Sequence, residues 1–241
     1  MALTNYPYAP LDAGFRANTI YQSAMTRMYG LVALGVIITA VGALTGDRLG
    51  IGALIYGSGW IGLIVALGLL LGLVFGASRA ASSGNIGLGL TLYLTFTAAE
   101  GLYISPIVAA FSLEIISQAL LLTAAVFIVM SVIGMSTKRN LSGLGPFLFA
   151  GLIGLVVVVF VNLMLNSGAL SLLISLVMLP LFMALTVYET KQMKELALQA
   201  AYDYNERAAT QVAVMGSIGL YLNVLNMFIA ILRLIDIFSG D

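Results

Sequence analysis

The sequence predicts an all-α integral membrane protein of seven transmembrane helices, and three observations carry that expectation. Of the 241 residues, 61% are hydrophobic and only 8% charged, whereas a soluble domain carries roughly a quarter charged residues. Such a composition cannot cover a water-facing surface, so the solvent is lipid. Length sets the second limit: at about 20 residues per crossing plus short connections, there is room for about seven spans and no soluble domain. Third, the apolar runs lack the alternation of barrel strands, and backbone groups in hydrocarbon must be bonded within their own segment, which a helix achieves.

Taken in order, residues 1–27 read as a polar, turn-prone cytoplasmic arm, with Tyr6-Pro7-Tyr8-Ala9-Pro10 and the cations Arg16 and Arg27. They lack the early apolar core of a signal peptide, which predicts a retained arm. The spans follow at about 28–46, 50–77, 86–107, 114–135, 144–166, 168–189 and 208–235, forming one transmembrane domain over 28–238, with a short tail at 239–241. Gly46-Asp47-Arg48 ends the first span, and Ser82-Ser83-Gly84-Asn85 separates the second from the third. Lys138-Arg139-Asn140 with Ser142-Gly143 separates the fourth from the fifth. A tight turn at Asn166-Ser167-Gly168 makes the fifth and sixth an antiparallel hairpin, and the longest connection is expected from Lys191 to Arg207.

Orientation follows from the cations. With the N-terminus in the cytoplasm, that side collects Arg16, Arg27, Arg79, Lys138, Arg139, Lys191, Lys194 and Arg207, leaving Arg48 and Arg233 on the other. The C-terminus is then expected outside. Gly68, Gly72 and Gly76 recur every fourth residue on the second span, as do Gly42, Gly46 and Gly50 around the first loop, and both sets predict close helix packing within one chain, hence a monomer. The eleven Met residues are scattered and read as gap fillers.

Several chemistries are excluded. There is no Cys and no His, which removes disulfides, thiol catalysis, zinc clusters and Ser-His dyads. No GxxxxGK[ST] run occurs, and ten Lys and Arg balance ten Asp and Glu, which argues against nucleic acid as a partner. The protein is expected not to be an enzyme and to need no cofactor.

Within the spans the informative residues are ionisable or strongly polar, because each costs a few kcal/mol in lipid unless paired or hydrated. Glu100 lies deep in the third span, where it reads as part of an ion or proton path ahead of a protonated acid bonded to a neighbouring helix. Ser105-Pro106 marks a kink or a helix end, or a break whose freed carbonyls line a cavity. Glu189 ends the sixth span, and Asn223 and Asn226 sit within the seventh. For Glu189, interfacial solvation and functional pairing are equal readings. Asn223 follows about four turns after the seventh span begins, so it meets Glu189 only if the first turns of that span lie outside the membrane. The amide would then donate to the acid. Arg79, at the end of the second span, reads first as a topology determinant.

These motifs are familiar. Glu100-Gly101-Leu102-Tyr103-Ile104-Ser105-Pro106-Ile107, Tyr188-Glu189-Thr190-Lys191-Gln192 and Gly219-Leu220-Tyr221-Leu222-Asn223-Val224-Leu225-Asn226-Met227-Phe228 resemble the Bax inhibitor-1 (transmembrane Bax inhibitor motif) family, in its bacterial form, over essentially the whole chain from Arg16. The resemblance implies six helices around a central, hydrophobic seventh, and a pH-sensitive calcium leak pathway; in eukaryotes the family is also linked to suppression of cell death. In the family's pattern, a Tyr-Asp-Thr closing the sixth helix and a Leu-Tyr-Leu-Asp in the seventh supply two aspartates that share a proton and latch the pore. The matching positions here are Glu189 and Asn223. The family's basic partner of the latch, on the second helix, has Arg79 as its candidate, and the connection between the last two motifs is longer than in bacterial relatives.

Asn cannot titrate, so the expectation is a calcium leak channel with a modified latch in which no proton need be shared. Glu100, Asn226, Ser105 and Pro106 are the candidates for the ion or proton path, and Glu189 and Glu100 for transient calcium contact. The rival readings are a non-conducting regulator that binds other membrane proteins and a proton-coupled small-solute transporter using Glu100. The expected setting is a lipid bilayer, the bacterial inner membrane, with calcium or protons as partners.

Overall fold

A computed structural model describes residues 11–239, which fold into eight helices with no strand among them. These are α1 (Leu11–Arg48), α2 (Ile51–Gly57), α3 (Gly59–Ser82), α4 (Ile86–Ala109), α5 (Leu113–Ser136), α6 (Leu144–Leu165), α7 (Gly168–Tyr202) and α8 (Glu206–Ser239). All but α2 are long and apolar enough to cross a bilayer, giving seven spans. The Tyr6–Pro10 stretch and residues 240–241 of the tail lie outside the described residues.

The turns between helices are short because side chains take up the free amides at helix starts. Asn85, Ser112 and Ser167 accept from the backbone N–H three residues on, capping α4, α5 and α7. Gly84 (φ 83°) and Asn166 (φ 47°) supply the left-handed residues that reverse the chain.

Three expectations about boundaries are corrected. Residues 11–27 are not a turn-prone arm: they are the first turns of α1, with Ile20, Ala24 and Met25 buried. The second span is not continuous from 50 to 77, because the chain breaks at Ser58 and Gly59 (φ 62°) into the short, seven-residue α2 and the crossing helix α3. The connection at 191–207 is largely helix. α7 continues to Tyr202, and α8 starts at Glu206 after a turn in which Asn205 N–H bonds Ala200 C=O (2.9 Å) and Tyr204 N–H bonds Ala201 C=O (3.1 Å). That is a Schellman-type stop with Tyr204 (φ 48°) where glycine usually sits. The Arg16 guanidinium lies over the Tyr204 ring, 5.8 Å from its centre, tying α1 to this turn.

These extensions pack on one another. Ile20, Ala24, Met25 and Met28 of α1 share a core with Met193, Ala197, Ala200 and Ala201 of α7 and Ala209 and Ala213 of α8. Small residues on α7 and α8 bring the backbones close, and Met28 and Met193 fill the space that Gly216 leaves.

α8 is the central helix: 56% of its apolar window is buried, against 11% for α6. It packs against α1, α3, α4, α5 and α7, and α6 joins the assembly chiefly through α7. α1 and α4 cross at backbone distance. A Cβ on Gly42 would stand 2.9 Å from Ala98 C=O, and one on Gly46 would stand 2.7 Å from Ser105 Oγ. The glycines of the second span behave differently: Gly76 meets Leu92, whereas Gly68 and Gly72 have open space around them and face outward. Close packing within the chain therefore holds at Gly42 and Gly46 but not at Gly50, Gly68 or Gly72.

The helix starts and ends bring Arg16, Arg27, Lys191, Lys194 and Arg207 to one end of the bundle, where most of them bond across helices. Arg27 Nη1 donates to Thr210 Oγ1 (2.8 Å), Lys194 Nζ to Met135 C=O (2.7 Å) and Arg207 Nη2 to Gly84 C=O (3.1 Å). Lys191 Nζ donates to Arg139 C=O and pairs with Glu195 (3.7 Å). Helix C-termini leave carbonyls without partners and carry partial negative charge, so Lys194 completes the end of α5, while Lys191 and Arg207 pin the turns that follow α5 and α3.

The glycine geometry makes a testable distinction. Gly101→Ala would press a methyl into Thr39 C=O and Gly42 Cα, and overpacking of this kind costs about 1–3 kcal/mol. Gly68→Ala and Gly72→Ala should leave thermal unfolding in detergent micelles unchanged, while Gly101→Ala lowers its midpoint by several degrees.

Candidate functional site

Glu189 and Asn223 meet. Asn223 Nδ2 donates to Glu189 Oε2 at 2.8 Å, with Asn223 only 2% exposed. The depth problem disappears because both helices run far past the pair. At 1.5 Å per residue, α7 extends about 20 Å beyond Glu189 and α8 begins about 26 Å before Asn223, so the two sit nearly level. The helical hairpin through residues 190–222 sets this register.

Gly219 completes the site. It lies one turn before Asn223 on the same face of α8, and a Cβ there would stand 2.6 Å from Glu189 Oε2 and 2.9 Å from Cδ. The carboxyl group occupies the place of the missing side chain. On the other side of α7, Thr190 is fully buried against Gly134 of α5, where a Cβ would meet Thr190 Cβ and Val187 C=O at 2.7 Å. Glycines on α5 and α8 thus let α7 approach from both sides.

A second polar group lies on the opposite face of α8. Thr39 Oγ1 lies 2.9 Å from both Gly35 C=O and Thr97 C=O, between which its one proton is shared, and accepts from the Tyr221 hydroxyl at 2.6 Å. Tyr93 donates to Leu31 C=O at 3.0 Å, and its ring meets Tyr221 edge-on with centres 5.8 Å apart. Each hydroxyl is satisfied, so this network fastens α1, α4 and α8 together.

The other candidates are scattered. Glu100 is half-buried on α4, makes no hydrogen bond or ion pair among the described residues, and lies within electrostatic reach of the phenols of Tyr56, Tyr103 and Tyr221. The Tyr56 and Tyr103 rings stack 6.2 Å apart beside it. Asn226 is half-buried and its amide donates to Leu222 C=O of its own helix (2.8 Å). Ser105 is fully buried and donates to Leu102 C=O at 2.8 Å. Pro106 lacks the N–H that would bond that same carbonyl, so the serine replaces it and α4 runs on to Ala109. Pro106 packs into the space above Gly52 of α2. Arg79 is exposed at the end of α3, and among the described residues no ion pair joins it to Glu189.

No three acidic side chains gather into a metal-binding group among the described residues. A calcium ion passing Glu189 or Glu100 would therefore meet few protein carboxylates and take its other oxygens from carbonyls, hydroxyls or water. Gly219, Thr190 and Gly134 were not among the sequence candidates. Gly219 was open to detection, because it stands at i−4 from Asn223 inside the motif that singled out the asparagine.

The strength of the pair is measurable. A hydrogen bond to a charged group contributes about 1.5–3 kcal/mol, so a double-mutant cycle of Glu189→Ala and Asn223→Ala in detergent unfolding, at a pH where the carboxyl group is ionised, should show coupling of that order. Gly219→Val, which displaces the carboxyl group, should destabilise by a similar amount.

A family model described as inhibitor of apoptosis-promoting Bax1 matches residues 21–240. The inner membrane protein YbhL of Escherichia coli K12 is 31% identical over 217 residues, 88% of this chain and 91% of that protein. An uncharacterized membrane protein of Streptococcus pyogenes serotype M1 is 38% identical over 162 residues, 67% of this chain and 69% of its own. An uncharacterized protein of Deinococcus radiodurans is 34% identical over 211 residues, 87% and 88% of the two chains.

Proposed function

The chain belongs to the Bax inhibitor-1 family, and from that premise we propose that it is a calcium leak channel of the bacterial inner membrane, without enzymatic activity, gated at the Glu189–Asn223 contact. The observation that carries this reading is the 2.8 Å hydrogen bond between the two residues that match the family's latch positions, on the central helix and its neighbour. The orientation suggested by the cations puts the bonded, basic end in the cytoplasm and the C-terminus outside.

The chemistry of the pair sets the expected pH response. Two carboxyl groups in contact cannot both ionise cheaply, so an Asp/Asp latch changes state when one proton is gained or lost. Here the amide keeps its donor at every pH, and Glu189 accepts it through a carboxylate or through the carbonyl oxygen of a carboxylic acid. One group titrates in place of a coupled pair, and its protonation does not break the contact. The calcium leak is then less steeply pH-dependent than in relatives with two aspartates.

Purified protein in liposomes loaded with a calcium indicator tests this directly. Because the contact survives protonation of Glu189, wild-type flux should change less between pH 6 and pH 8 than the roughly tenfold swing in occupancy of a single site that titrates midway between them. Asn223→Asp should restore a steep dependence. A steep proton-controlled leak in the wild type would place the sensor elsewhere, and ion-tight liposomes at every pH would favour the non-conducting regulator.

A further inference from the structure

Almost every buried hydroxyl in this bundle bonds a carbonyl of its own helix. Thr39, Thr97, Ser105, Thr123, Ser175, Thr186 and Ser217 all do so, three or four residues back. Ser131 (3% exposed) and Thr190 (0%) do not, and together with the Tyr29 hydroxyl they are buried oxygens without a partner among the described residues. A buried hydroxyl left unpaired in a low-dielectric interior is costly, so a group of them needs a physical explanation.

The three share one location. Phe127, Ser131 and Gly134 recur at i, i+4 and i+7, on one face of α5. Tyr29 of α1 reaches this face edge-on to Phe127, with ring centres 6.1 Å apart. Ser131 lies on the next turn, and Thr190 of α7 closes on Gly134 one turn further. Orphan hydroxyls from three helices thus line two turns of α5. Thr190 directly follows Glu189, whose Oε1 receives no hydrogen bond from any described residue, since Asn223 bonds Oε2.

We propose that the junction of α1, α5 and α7 beside Glu189 is a hydration site, in which Tyr29, Ser131 and Thr190 hold a small cluster of ordered water that carries protons to the Glu189 carboxyl group. Water fits the donor set: each hydroxyl can donate one bond and accept two, and a buried water takes two to four such partners. A metal ion would need more oxygens than these, and no second acid is gathered there. This inference rests on the reading of Glu189 as the titrating half of the gate, and it supplies that group's access to solvent.

The charged and titratable groups around Glu189 are few. α5 carries only Glu114, at its far start, and α6 carries none. α8 presents Asn223 and Gly219 here, with Arg207 held at its own start by Gly84 C=O. α1 brings Tyr29, and Arg27 two residues earlier is bonded to Thr210. On α7, Tyr188 faces Gly145 of α6, and Lys191 and Lys194 are bonded to carbonyls of residues 139 and 135. Glu195 on α7 pairs with Lys191, and none of these charged groups bonds Glu189, which leaves the neutral hydroxyls and water as the proton route of this proposal.

Water-edited solid-state NMR on the full chain in lipid bilayers, with labelled Ser and Thr, tests the site without any reference to ion flux. Magnetisation from water should reach Thr190 and Ser131 several-fold faster than Thr39 and Thr97, which are buried and fully bonded, and about as fast as Thr137 at the end of α5. Ser131→Ala should slow transfer to Thr190 at least twofold, and Ser131→Thr should restore it. Transfer to Thr190 and Ser131 as slow as to Thr39 overturns the proposal. Rapid transfer in protein whose liposomes are ion-tight would leave the hydration site standing and remove the channel reading alone.

Discussion

In hydrocarbon every polar group must find its partner inside the protein, and the hydrogen bond from Asn223 to Glu189 is where that constraint bears hardest on this fold. A carboxyl group and an amide in the middle of a helical bundle are each expensive alone and inexpensive together. Their meeting depends on features far from the pair. α7 must continue for more than three turns past Glu189, the chain must reverse at Tyr204, and α8 must return with Asn223 at the same depth. Gly219 must lack a side chain so that the carboxyl group has a place. The core at Met193, Ala197, Ala200, Ala209 and Ala213 holds the hairpin straight enough for the register to survive.

The same constraint explains the basic end of the bundle. A charge count alone assigns Lys191, Lys194 and Arg207 to topology. Their hydrogen bonds give them a second role: Lys194 completes Met135 C=O in the last turn of α5, while Arg207 and Lys191 hold the carbonyls of Gly84 and Arg139 in the turns just past α3 and α5. Inside the membrane Ser105 does the equivalent for Leu102, whose carbonyl Pro106 cannot reach. Ser105, which the sequence offers as part of an ion path, is thus a repair to the backbone.

The number and approximate limits of the spans were legible because composition and apolar length are dictated by the bilayer. What was not legible depends on tertiary partners or on atypical residues. Residues 191–202 are charged and looked like a loop, and the signal that ends α7 is hidden because a tyrosine, held by Arg16, takes the left-handed position where glycine normally announces a stop. Residues 11–27 are helical because Ile20, Ala24 and Met25 have α7 and α8 to pack against, which a local reading cannot see. The break at Ser58-Gly59 sits inside an unbroken apolar run, so hydropathy passes over it. Spacing identified the glycine stripes but not their neighbours: Gly42 and Gly46 are filled by α4, and Gly68 and Gly72 are open. The pairing of Glu189 with Asn223 was legible from the motifs, while Gly219 and Thr190, which shape their surroundings, carry no chemistry that draws attention in a sequence.

The central claim is that the amide of Asn223 holds Glu189 whatever the charge on the carboxyl group. Rotational-echo double-resonance NMR in lipid bilayers, with 15N in the Asn223 side chain and 13C at Glu189 Cδ, measures that contact directly across the pH range. The account predicts the same dipolar coupling at pH 5 and pH 8, corresponding to a maintained hydrogen bond. A coupling that collapses at either pH would show that the pair opens when Glu189 changes charge, and would contradict it.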